Sequence, residues 1–204
     1  VRRALAALLL CSALPALAAR IDVQLVDAAG QPLADAVAWA VPRGATAQPR
    51  PRPGTIEQFN RAFVPGVTVV QTGAAVRFPN RDPFRHHVYS FSAAKRFSLK
   101  LYVGEPPEPV VFDKPGLVVL GCNIHDQMLA YVLVVDTPHF GKSEADGRVR
   151  LDSLPAGDYD LHAWHPRQAE PLAPVRLALA AESAASQRFS FGLAVAGHAA
   201  PAPR

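Results

Sequence analysis

The sequence predicts an all-β protein built from short strands, and three observations carry that expectation. Apolar residues recur with period two in short runs, the spacing of strands half-buried in a sandwich. Between those runs 20 prolines and 13 glycines punctuate the chain, which keeps elements short and turns frequent. No stretch sustains an apolar repeat of 3.6 residues, and residues 92–96 offer at most one turn of helix. Half of the residues are hydrophobic and only 19% are charged, a balance that supports a buried core and argues against disorder.

The first segment reads as an address rather than a strand. Arg2 and Arg3 give a positive start, residues 4–14 are apolar, and residues 15–19 are mostly small. That is the layout of a secretory signal, with cleavage expected near Ala18 or Ala19. Leu10 is bulky where a lipid-modified cysteine at position 11 would need a small residue before it. Beyond the first twenty positions no 18-residue apolar run occurs, so no membrane span is expected in the mature chain. Without Arg2 and Arg3 the formal charge falls from +4 to +2, and no basic run is interleaved with aromatics. Nucleic acid is therefore not an expected partner.

Residues 21–26 and 36–41 read as strands around a turn at 27–33, and residues 42–54 form a Pro-rich linker. A new unit is expected from 55 to 136, with strands at 67–70, 75–78, 87–91, 97–102, 110–112, 118–122 and 131–135. Strands so short and so closely spaced argue a β-sandwich or a Greek-key barrel. After Asp136 the pattern resets. Strands are expected at 148–151 and 161–164, then at 175–179 and 188–193, and an Ala/Pro-rich tail from 194 to 204 is expected to be disordered.

Cysteine arithmetic points to chemistry. Loss of the signal removes Cys11 and leaves Cys122 alone in an oxidising compartment, where thiols usually pair. Such a residue is an intermolecular disulfide partner, an inert buried thiol or a metal ligand. Cys122 is followed by His125 and Met128 in a seven-residue run between two expected strands. Thiolate, imidazole and thioether together suit a copper ion that cycles between its cuprous and cupric states. A His₂Cys site with a weak axial Met needs one more histidine, which the pair His86-His87 supplies at the start of a strand.

Here the residues resemble a family. Asn80, six positions before His86, together with the run His86-His87-Val88, resembles the first ligand segment of the blue-copper proteins, or cupredoxins. The Cys-x-x-His-x-x-Met spacing resembles the short ligand loop of amicyanin. Phe78-Pro79-Asn80, His86 to Ser92 and Gly121 to Asp126 are similar to runs in methylamine utilization proteins. The resemblance implies a Greek-key cupredoxin sandwich over 55–136 and one mononuclear copper held by His86, Cys122, His125 and Met128. It singles out His86 over His87, which stands where the family has an Asn that ties the two ligand loops together. His87 is expected to donate one such bond or to lie exposed as a partner contact. Val26-Asp27, Gly30 and Pro32-Leu33, with Asp146-Gly147-Arg148 and residues 154–159, resemble a carboxypeptidase-regulatory-like, prealbumin-type sandwich. On that resemblance residues 20–54 and 137–193 form one small β-sandwich into which the 55–136 unit is inserted.

The function so implied is single-electron transfer in the bacterial periplasm, with a dehydrogenase or a cytochrome as redox partner and His125 at the exposed edge. An amicyanin-like partner would be a methylamine dehydrogenase. No vacant coordination position is implied, so bound-substrate catalysis is not expected. A copper carrier or store would use the same ligands and hold the cuprous ion. A metal-free structural or interaction module of the envelope is the third alternative. His162 and His165 are read as polar strand positions on the face opposite Trp164, and no Ser/His/Asp order indicates a hydrolase.

Overall fold

The computed structural model describes residues 18–44, 50–106 and 108–194. The expected export signal, apart from Ala18 and Ala19, and the expected tail, apart from Ala194, lie outside the described residues. Among the described residues there is no helix. In chain order the strands begin with β1 (Ala19–Asp27) and β2 (Val37–Pro42). The central stretch holds β3 (Gly54–Thr55), β4 (Glu57–Phe59), β5 (Ala62–Val64), β6 (Val67–Gln71), β7 (Ala74–Arg77), β8 (His86–Ser92), β9 (Lys95–Tyr102), β10 (Val110–Phe112), β11 (Gly116–Gly121) and β12 (Leu129–Val135). The last strands are β13 (Phe140–Lys142), β14 (Arg148–Leu154), β15 (Gly157–Trp164), β16 (Val175–Leu179) and β17 (Ala184–Phe191).

Strands from both ends of the chain share two sheets. One has the order β14-β1-β17, with β1 antiparallel to β14 and parallel to β17; the other has the order β13-β2-β15-β16. The inward residues of these two sheets, among them Ile21, Leu25, Ala38, Leu161 and Phe191, form one core. The central strands build a five-stranded sheet β6-β12-β11-β8-β9, a three-stranded sheet β10-β7-β3 and the hairpin β4-β5. A second core lies between them and includes Ile56, Phe78, Val88, Phe112, Leu120 and Met128.

The two sandwiches meet through a third apolar layer. Val37, Trp39 and Trp164, from β2 and β15, pack on Val67, Leu117, Tyr131, Leu133 and Val135, from β6, β11 and β12. This stacking explains why β12 reads as a continuous apolar run. Its residues Ala130, Val132 and Val134 enter the second core while Tyr131, Leu133 and Val135 enter the shared layer. A strand covered on both faces has no polar side to display.

Two expectations need correction. Residues 92–96 hold no helical turn: Ser92 pairs with Lys95, so the chain reverses there in a tight β-hairpin between β8 and β9. His162 is not opposite Trp164. Two residues apart on one strand, they face the same side, and His162 stacks on Trp39, its cross-strand partner, at 5.0 Å and 9° between ring planes. His165 follows the end of β15 and is buried near Phe191.

Candidate metal centre

The site is built where β8 begins and β11 ends. Alternation along β8 turns His86, Val88 and Ser90 inward, with His86 fully buried, and leaves His87, Tyr89 and Phe91 on the outer face. His87 therefore ties no ligand loop. Its Nε2 meets Ser98 Oγ at 2.7 Å on neighbouring β9, and its ring lies 5.3 Å from that of Tyr89.

The loop before His86 is fixed from two directions. Asn80 is buried; its Nδ2 donates to the carbonyls of Phe84 and Tyr102, each at 2.8 Å, and its Oδ1 accepts from the amide of Asp82 at 3.0 Å. Asp82 is held in turn by the β4-β5 hairpin. The two turn residues Asn60 and Arg61 have φ of 53° and 57°, the left-handed pair that a two-residue hairpin turn requires. Their amides donate to Asp82 Oδ1 and Oδ2 at 2.7 and 3.0 Å.

Burial pushes the Asp82 carboxyl up, but hydrogen bonds from the Arg61 amide, His86 and the Asn60 amide outweigh it and hold the group below its usual range. The carboxylate is thus anionic and meets His86 Nε2 at 2.7 Å. An anionic acceptor at Nε2 places a ring N–H there, which turns Nδ1 toward the site. Nδ1 faces Cys122 Sγ at 3.9 Å.

Cys122 follows β11 directly and is buried. The loop beyond it brings back His125, half-buried, with its ring centroid 5.0 Å from that of His86 and 5.9 Å from that of Phe84. His125 Nδ1 is buried and has no hydrogen-bond partner. A buried polar atom left unpaired in this way is costly unless something binds it. One donor atom each from His86, Cys122 and His125 lies within 4.8 Å of the others. Met128 is buried in the same core as Cys122, and its amide donates to the His125 carbonyl at 2.9 Å, which closes the loop.

Two imidazole nitrogens and a thiolate around an apolar, buried point fit a soft-to-borderline ion such as copper. Beneath the site, Tyr102 donates to the Phe78 carbonyl at 2.5 Å and accepts from the Gln58 amide. Burial pushes its phenol up to about 12, against the Gln58 hydrogen bond and with a smaller push from Cys122, so it stays protonated. The sequence reading passed over Asp82 and the hairpin amides. A carboxylate four residues before a candidate ligand histidine was the available signal, since ligand histidines usually hand their second ring nitrogen to an acceptor.

No protein-family model and no curated protein matches the chain. Several solved structures do, each over part of it. A copper-containing nitrite reductase from Thermus scotoductus SA-01 is 25% identical over 47% of this chain and 25% of its own, with a TM-score of 0.39. A purple cupredoxin from Nitrosopumilus maritimus is 18% identical over 40% of this chain and 99% of its own, with a TM-score of 0.36. Amicyanin from Paracoccus versutus is 15% identical over 47% of this chain and 85% of its own, with a TM-score of 0.34. The likeness is partial in every case.

Proposed function

We propose that this chain is an exported copper protein of the bacterial cell envelope that carries single electrons between redox proteins. The observation that supports it most directly is the convergence of one donor atom each from His86, Cys122 and His125 within 4.8 Å of one another, with His86 Nδ1 facing Cys122 Sγ. Copper bound there would supply a one-electron couple between its cuprous and cupric forms. The chain's own residues do the rest. Cys122 would contribute a thiolate, His86 and His125 the imidazoles, and Met128, buried in the same core as Cys122, a thioether. Asp82 holds the His86 ring in one orientation, while the hairpin amides hold Asp82. A pocket fixed by these contacts changes little between oxidation states, which is what fast electron exchange requires.

Burial of Cys122 and His86 keeps water from the thiolate, while half-exposed His125 gives a donor closer to the surface. A dehydrogenase or a cytochrome is the proposed partner class, and methylamine oxidation is the context suggested by the resemblance of the ligand segments. The test is a visible absorption and paramagnetic-resonance spectrum after addition of cupric ion. An intense thiolate-to-copper band with narrow copper hyperfine splitting, absent in Cys122→Ala, is the expected result. A colourless protein that binds only cuprous ion would replace electron transfer with copper carriage, and one that binds no copper would end the proposal.

A further inference from the structure

The outer face of the five-stranded sheet is covered over only part of its width. On β6, β11 and β12 it is sealed by β2 and β15 through the shared apolar layer. On β8 and the neighbouring edge of β11 and β12 it is open, and the apolar surface continues. His87, Tyr89 and Phe91 run up β8 as a ladder, with ring centroids 5.3 and 5.1 Å apart. Phe91 is 74% exposed and Leu129 47% exposed. Strand register places them around a gap: Gly121 pairs with Tyr89 on one side and with Leu129 on the other.

Because Gly121 has no side chain, Tyr89 lies down against the backbone; a Cβ there would come within 2.8 Å of the Tyr89 ring. The result is a groove of about 350 Å³ lined by Tyr89, Phe91, Val119, Gly121 and Leu129. The bottom of the groove is one residue from Cys122, and its rim at Leu129 is one residue from Met128.

Charge on this face has one sign. The five strands of the sheet contain no aspartate or glutamate, and β9 turns Arg96 and Lys100 to this face, while Lys95 lies on the side of Phe97 and Leu99 and pairs with Asp113. Arg96 and Lys100 are exposed and make no ion pair among the described residues, and Arg96 stands directly across from Phe91. An apolar groove beside cations with no carboxylate on the sheet is complementary to a surface that offers an apolar side chain ringed by acidic groups.

We infer that this open half of the sheet is the docking face for an acidic protein redox partner, whose apolar side chain enters the groove over Gly121 between Tyr89 and Leu129. The assignment of the occupant as a redox protein rests on the electron-transfer reading; the surface and its charge preference do not. A second copy of this chain is disfavoured as occupant, because pairing this face with itself would bring Arg96 and Lys100 against their own kind.

The experiment uses two probes that differ only in charge: a lysine-rich cytochrome c and the same cytochrome with its lysines succinylated, which makes it acidic. Binding of each to the copper-free chain is measured by titration calorimetry at low and high salt, and electron transfer to each is then measured with the copper-loaded chain. The expected result is tighter binding of the succinylated form by about tenfold or more at low salt, a preference erased by salt. The double change Arg96→Glu with Lys100→Glu should abolish that preference, Phe91→Ala should weaken binding of the acidic probe, and both, all at exposed positions, should slow electron transfer to it. Equal binding of the two cytochromes, binding of neither, or binding untouched by these variants overturns the inference. So does a concentration-dependent dimer in sedimentation that Phe91→Ala dissolves. If the chain takes no copper, the electron-transfer reading falls while the copper-free binding comparison still decides the surface.

Discussion

Asp82 Oδ2 lies 2.7 Å from His86 Nε2, and that single contact links a surface hairpin to the candidate metal centre. The amides of Asn60 and Arg61 pin the carboxylate, the carboxylate orients the ring, and the ring presents Nδ1 to Cys122. The bonds to Asp82 run from 2.7 to 3.0 Å, so the geometry of the site is inherited from a turn that contributes no ligand.

Asp82→Asn should keep the shape and lose the charge. The neutral amide has one acceptor oxygen where the carboxylate has two, so a hairpin amide is left unpaired, and the imidazole loses an anionic partner. Copper affinity should drop about 10–100-fold. The reduction potential should rise, because a neutral neighbour favours the cuprous form. A competition titration with a chelator and a voltammogram check the two expectations separately, and an unchanged potential would show that Asp82 acts through shape alone.

Gly147 is placed where no other residue fits well. Its φ is +69°, and a Cβ would stand 2.4 Å from the Leu25 carbonyl oxygen and 3.0 Å from the Leu33 amide. Gly147→Ala should cost roughly 1–3 kcal/mol in backbone strain alone, and more from the displaced Leu25 carbonyl. Gly30, at φ +82° with nothing within 4 Å, isolates the strain, so Gly30→Ala should lower the melting temperature by less. Equal losses at the two positions would remove the clash from the account.

Trp164 is fully buried in the layer between the two sandwiches, edge-on to Tyr131 with ring centroids 5.6 Å apart. Trp164→Ala should cost about 3–5 kcal/mol, the range for a large aromatic removed from a packed core. Denaturant unfolding followed by circular dichroism measures it. A loss below about 1 kcal/mol would mean that the layer collapses onto the gap or packs loosely from the start.

Three histidines away from the site set an acid limit on stability. Burial lowers His139, His162 and His165 below the ordinary value of 6.5; Asp160 offsets part of the effect at His162, and Arg167 adds to it at His165. With a folded value below the unfolded one, each contributes fully above 6.5 and loses its contribution as the pH falls toward the lower folded value, because the unfolded chain takes up protons first. The melting temperature should therefore decline as pH drops below that point, and His162→Gln should flatten the decline. A flat profile in the unmodified protein would contradict the burial of these rings.

Much of this was legible from residue order, and the remainder has physical reasons. The all-β class followed from period-two runs, and β12 was visible because a strand buried on both faces is apolar throughout. Its two-sided burial was not legible, since one sequence cannot say which sheet covers which. The hairpin β4-β5 escaped because its strands are three residues long and it buries the polar Gln58 across from Phe63, with Gln58 Nε2 donating to the Phe78 carbonyl and Tyr102. The face of His162 was misread although the arithmetic was available, since residues two apart on a strand always share a side. His87 was ambiguous by type and resolved by alternation once β8 was seen to start at His86.

The shared layer of Trp39, Trp164, Tyr131 and Leu133 also bears on how such a site is moved between proteins. Excised as residues 54–135 alone, the inner unit would keep every candidate ligand, yet it would lose the roof over β6, β11 and β12. Val67, Leu117, Tyr131, Leu133 and Val135 would then face water as one greasy slab, an invitation to aggregate. A graft of this centre into another framework must therefore bring a lid for that slab or repaint it with polar residues, even though none of those residues is a candidate ligand.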